Sequence, residues 1–110
     1  METSTAILSL AALAQESRLA VFRLLVQAGP AGMAASKIAA ALAIPASSLS
    51  FHLKELAHAN LVASTKAGRS IIYAANFAAM NGLLAFLTEN CCGGQPCAPA
   101  VACQPGCAEA

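Results

Sequence analysis

The feature that most constrains this chain is the stretch "SKIAAALAIPASSLSFHLKEL", residues 36–56. Two apolar helical patterns stand there with only "AIP" between them. Pro45 has no N–H to donate and its ring clashes with a continuing helix, so the first helix must end before it. In the second pattern, "ASSLSFHLKELAHAN", Leu49, Leu53 and Leu56 recur at about 3.6 residues per turn and form one buried stripe. Two β-prone runs follow at once, "LVASTK" and "RSIIYAA", joined around Ala67-Gly68. A glycine between such runs marks a hairpin. Two helices across a tight turn, closed by a hairpin, predict a winged helix-turn-helix, mostly α with a β-hairpin wing.

The flanks extend this plan. Thr3 or Ser4 is expected to cap a first helix running to about Leu13. "ESRLAVFRLLVQAG" predicts a second, with Leu19, Phe22, Leu25 and Val26 on one face, Glu16 in its first turn and Gly29-Pro30 as its stop. Ser36 is the expected cap of the short third helix. Asn76 caps a last helix, "FAAMNGLLAFLTEN", with Phe77, Met80, Leu84 and Leu87 roughly aligned. Beyond Asn90 glycine, proline and cysteine take over. The chain therefore divides into a domain at 1–90 and a flexible, Cys-rich tail at 91–110.

Composition narrows the class. A chain of 110 residues, 58% hydrophobic and 10% charged, is not a solvated disordered polymer. Much of the apolar count is alanine, so Leu, Ile, Val and Phe form a thin core that dimerisation would help complete. Net charge is only +1. Between Ala31 and Ala75, however, Lys37, Lys54, Lys66 and Arg69 face a single Glu55, four cations against one carboxylate, which leaves +3. Such a local basic patch suits nucleic acid even when the global charge does not. "AILSLAALAQ" resembles a signal core, but no Lys or Arg precedes it and Glu2 does. No apolar run is long enough to span a membrane. The expected location is the cytoplasm, where thiols stay reduced. The chain holds no Asp, and no Cys–His pair or paired carboxylates can be argued, so an enzyme is not expected.

Helix phase picks out a reading face. With the three leucines inward, Ser47, Ser50, Phe51, Lys54 and His58 point outward and Ser48 lies on a flank. The second helix of a helix-turn-helix enters the major groove. Short hydroxyls such as Ser47, Ser48 and Ser50 bond bases or phosphates, and Lys54 suits a phosphate. Phe51 opposite the core is hard to explain as packing and suits a thymine methyl. Arg69, beside Gly68 in the hairpin tip, reaches a minor groove or phosphate, and Lys66 adds charge to the wing. The plain competing reading makes the serines solvated positions near a helix cap. The hairpin and the cations favour DNA. His52 falls at the edge of the buried stripe and reads as a core-edge histidine hydrogen-bonded to backbone, since a metal would need partner ligands nearby. His58 is similarly alone.

Three segments, "LAQESRLAVFRLL", "SKIAAALAIPASSLSFHLKELAHANLV" and "STKAGRSIIYAA", resemble the ArsR/SmtB family of winged-helix repressors. The likeness covers nearly the whole chain to Asn90. Its most diagnostic part is the S-x-x-S-x-H-L-x-x-L spacing from Ser47 to Leu56. The resemblance implies a homodimer with the first and last helices at its interface, a palindromic double-stranded operator, and release by a metal or metalloid. Two family patterns are missing. Where many arsenic-sensing members carry thiols in the third helix, this chain has Ala34 and Ser36 in "GMAASKIA". Where zinc- or nickel-sensing members carry Asp and His on the last helix, "NFAAMNGLLAFLTE" has neither. The tail instead resembles a subset of arsenic repressors with a vicinal cysteine pair and a further cysteine after the last helix.

All five cysteines lie in that tail, spaced C-C-x4-C-x5-C-x3-C. Adjacent Cys91 and Cys92 would strain a mutual disulfide but can offer two thiolates to one soft acceptor. Gly93-Gly94 allow Cys97 to fold back. Trivalent arsenic and antimony take three sulfurs in a pyramid, so Cys91, Cys92 and Cys97 are the expected ligands of an As(III) or Sb(III) effector. Cys103 can replace Cys97, and Cys107 with Cys103 has the weaker claim. Zinc or cadmium would want four thiolates, which five cysteines can supply, although no C-x2-C pair is present. A disulfide framework needs an oxidising compartment and an even count. A thiol redox switch is the stronger rival, because exposed thiols oxidise. The expected protein is a repressor with no permanent cofactor, released from its operator by a metalloid.

Overall fold

The computed structural model describes residues 1–94. Among them stand α1 (Thr3–Leu13), α2 (Glu16–Ala28), β1 (Met33–Ala34), α3 (Ala35–Leu42), α4 (Ala46–His58), β2 (Val62–Ala67), β3 (Ser70–Ala75), α5 (Phe77–Leu87) and a 3-10 turn at Cys91–Gly94. The expected order of helices, hairpin and last helix is present, with one strand that the sequence did not announce.

Helix α1 starts one residue earlier than its Thr and Ser suggest. Glu2 takes the extended cap conformation, and its carbonyl accepts from Ala6 at 2.9 Å. Thr3 and Ser4 therefore sit inside the first turn. The buried side of α1 carries Ala6, Ser9 and Ala12. These small residues let the helix lie close to the body, and the larger Ile7, Leu8 and Leu10 point outward. The chain then bends by 102° into α2. Gln15 caps α2 by accepting from Arg18 N–H, and the Arg18 Nε donates to the Ala12 carbonyl at 2.6 Å, so one residue fastens both helices at the corner. Val21, Phe22 and Leu25 are buried, whereas Leu19 is 44% exposed. The true stripe of α2 is rotated from the expected one, toward Val21.

Gly32 explains the unannounced strand. Its φ is +73°, and a Cβ there would collide with the Tyr73 carbonyl oxygen. Only glycine lets the chain pass that close. Met33 and Ala34 then pair with Tyr73 and Ile72, giving an antiparallel sheet of order β1-β3-β2. The hairpin pairs Val62 with Ala75 through Ala67 with Ser70, leaving Gly68 and Arg69 as a two-residue loop. Gly68 has φ +63°, as a two-residue loop with glycine first requires.

Helix α3 has no side-chain cap: Ala34 is extended and Ser36 lies within the first turn. Its end is unusual. Ala43 is left-handed with φ 54°, and Ile44 N–H reaches back to the Ala39 carbonyl at 3.1 Å. Pro45 follows and opens α4, its carbonyl accepting from Leu49 at 2.9 Å. That is the tight turn the "AIP" stretch demands. Helix α4 closes with Asn60 at φ 63°, Leu61 N–H on the Leu56 carbonyl and Asn60 N–H on Ala57. This pair of bonds is a Schellman closure. Leu56 and Leu61, both fully buried, supply its apolar contact. The core unites these leucines with Val21, Leu25, Ile38, Leu49 and Leu53. Truncating any one of the leucines or Ile38 to alanine costs about 2–5 kcal/mol. Among the described residues no single helix is long and apolar enough to cross a membrane.

Candidate nucleic-acid interface

Burial fixes the phase of α4 without ambiguity. Leu49, Leu53 and Leu56 face the core, and Ser47, Ser48, Ser50, Phe51 and Lys54 are all exposed. Three hydroxyls, an aromatic ring and an ammonium thus share the outer side of the second helix. Lys66 near the end of β2 and Arg69 in the two-residue loop are exposed at the wing tip. The arrangement supplies hydroxyls and one ring for base edges, flanked by exposed cations suited to phosphates.

His52 departs from expectation in one respect. It is half-buried, as its phase predicts, but its buried Nδ1 has no hydrogen-bond partner among the described residues. The expected bond to backbone is absent. Its ring meets the Phe51 ring edge-on, with centroids 5.8 Å apart and planes at 61°. His58 is exposed in the last turn of α4.

The helix ladder places the start of the cysteine cluster next to α5. Thr88 closes α5 with its N–H on the Leu84 carbonyl, and Cys91 N–H bonds the Thr88 carbonyl at 2.9 Å. Cys91 is half-buried and opens the 3-10 turn that contains Cys92. Cys97, Cys103 and Cys107 lie outside the described residues. At the other end of α5, Asn76 accepts from Ala79 N–H and also donates to the Asn60 carbonyl at 3.0 Å. The cap was legible from the sequence. The tie to Asn60 was not, since nothing local links residues so far apart in the chain.

A helix-turn-helix domain family matches residues 13–65. The solved structure of an ArsR-like transcriptional regulator from Rhodococcus sp. RHA1 is 32% identical, with a TM-score of 0.68 over 79% of this chain and 78% of that one. The chain belongs to the ArsR family. NolR from Sinorhizobium fredii is similar as well, at 30% identity and a TM-score of 0.62 over 78% of this chain and 83% of that one. HlyU from Vibrio cholerae N16961, at 24% identity and a TM-score of 0.64 over 84% of this chain and 99% of that one, shares the fold. No curated protein matches the chain in sequence. As an ArsR-family member with this winged helix-turn-helix, the protein is a DNA-binding transcriptional regulator.

Proposed function

We propose that this ArsR-family regulator is a homodimeric repressor released from a palindromic operator when As(III) or Sb(III) binds thiolates that follow α5. The observation that carries the reading is one of position. The cysteine cluster begins just after α5, and Asn76, which caps the start of α5, is hydrogen-bonded to Asn60 in the turn that closes the reading helix α4. Cys91, Cys92 and Cys97 are the proposed ligands, with Cys103 as substitute for Cys97. Three thiols displace three hydroxides from arsenous acid; each thiol proton leaves with a hydroxide as water, and arsenic keeps its oxidation state. Ligation draws the residues after α5 against its end, and a shift of α5 reaches α4 through Asn76. Ser47, Ser48, Ser50, Phe51 and Lys54 contact the major groove, and Lys66 and Arg69 the backbone beside it.

Two features support dimerisation through α1 and α5. Ile7 is 60% exposed on α1 and Leu87 55% on α5, alongside Leu8, Leu10 and Leu84. A mostly apolar groove of about 310 Å³ also runs between α2 and α5, lined by Leu19, Val26, Met80 and Leu84 among others. Left in water, this surface is an association liability. A second copy covering it leaves two α4 helices at a fixed spacing, as two half-sites require. Release then needs the metalloid to bind the DNA-free form more tightly than the DNA-bound form.

The test of ligation is arsenite titration followed by the ultraviolet absorption of sulfur bound to arsenic, with each cysteine changed to serine in turn. Full absorption in Cys91→Ser or Cys92→Ser contradicts the assignment. A thiol redox switch is the second reading, favoured by five thiols in one stretch. It requires that peroxide alone, with no metalloid, dissociates the DNA complex and forms disulfides detectable by mass.

A further inference from the structure

We propose that Phe51 reads the C5-methyl group of a pyrimidine in the major groove, so that thymine and 5-methylcytosine are equivalent at one position of each half-site. The proposal rests on the DNA-reading role of α4 given above.

Phe51 is 55% exposed on a helix whose other large apolar residues are buried. Its neighbours at three and four positions along the helix are Ser47, Ser48, Lys54 and Glu55, all polar. The ring is therefore an isolated apolar group in a polar and cationic surround. A protein-docking patch needs contiguous apolar surface. Most of the other exposed large apolar residues, Ile7, Leu8, Leu10, Leu84 and Leu87, lie on α1 and α5, with Leu19 on α2, Ile71 on β3 and Met1 at the chain start, and none is on α4. Core packing does not explain the ring either, given its exposure.

The major groove offers almost only donors and acceptors; its apolar group is the methyl on C5 of thymine. A phenyl ring has no donor or acceptor. It can gain by covering that methyl, and it cannot tell the O4 of thymine from the amino group of cytosine. A cytosine carrying the same methyl at the same carbon presents the same surface to it. The edge-on contact with His52, itself half-buried beside Leu53, restrains the ring in place. Operator affinity accordingly responds to cytosine methylation at that position.

The experiment begins by selecting binding sites from a random duplex pool with the full chain. Each dT of the selected site is then replaced by dU, which removes only the methyl. At one position per half-site this lowers wild-type affinity about fourfold, the factor for losing one buried methyl-sized group. Phe51→Ala and Phe51→Gln bind the dT and dU sites equally there. At the same position 5-methylcytosine binds the wild type more tightly than cytosine by a similar factor. A wild type with no dU-sensitive position overturns the proposal, as does undiminished sensitivity in both variants. If no sequence is selected at all, the DNA-reading assignment of α4 falls and the proposal falls with it.

Discussion

The side chain of Asn76 ties α5 to the turn that follows α4: its Nδ2 donates to the Asn60 carbonyl at 3.0 Å while its Oδ1 accepts the Ala79 N–H at 3.1 Å. Its own backbone N–H adds a bond to the Leu61 carbonyl at 2.8 Å. The start of α5 is thus fastened to the segment that terminates α4. In the mechanism proposed above, a shift of α5 reaches the reading helix through this point.

Asn76→Ala removes the cap and the tie together. It should lower stability by about 1–2 kcal/mol, a cap plus one modest hydrogen bond. Asn76→Asp keeps the capping acceptor and turns the donor into an acceptor facing a carbonyl. Urea unfolding should show Asp recovering part of the loss. Both variants should bind arsenite normally yet show weaker coupling between arsenite and DNA affinity. Unchanged coupling in both would mean that the signal travels by another route.

Three small residues test the backbone account. Gly32→Ala meets both a positive φ and the Tyr73 carbonyl, so β1 must detach or shift, at a cost of more than about 2 kcal/mol. Gly68→Ala meets the positive φ alone, with nothing within 4 Å, and should cost only about 1 kcal/mol. Ala43→Gly relieves a left-handed alanine and should stabilise by about 0.5–1 kcal/mol. Chemical denaturation of the three variants checks the ranking. Equal losses in the two glycine variants would contradict the close approach at Gly32.

On the reading helix and the wing, Lys54→Ala, Lys66→Ala and Arg69→Ala should each weaken binding on all duplexes alike. Each should also reduce the slope of log affinity against log salt by about 1. Ser50→Ala should instead weaken the preferred sequence more than a random one. Gel shifts across a salt series separate the two behaviours. A lysine variant with an unchanged slope does not contact phosphate.

Much of this fold was legible because its signals are local. Pro45, the leucine stripe of α4, Gly68 and the Asn76 cap each act within a few residues. What escaped depended on distant partners. Strand β1 exists because Gly32 lets the chain approach Tyr73 across the sheet. The packing face of α1 is hidden for a related reason: burial there selects small size, through Ala6, Ser9 and Ala12, and leaves Ile7 and Leu10 outward. For α4 the exposure of the site residues followed from phase alone. The unpartnered Nδ1 of His52 did not, since no spacing rule reports what a ring nitrogen faces.

The most direct test of the central claim is operator release followed by fluorescence anisotropy as arsenite is added. The wild type should leave its operator in a saturable titration, and Cys92→Ser should bind the same DNA with unchanged affinity yet stay bound as arsenite rises. Release of Cys92→Ser at the wild-type midpoint, or a wild type that never releases, would contradict it.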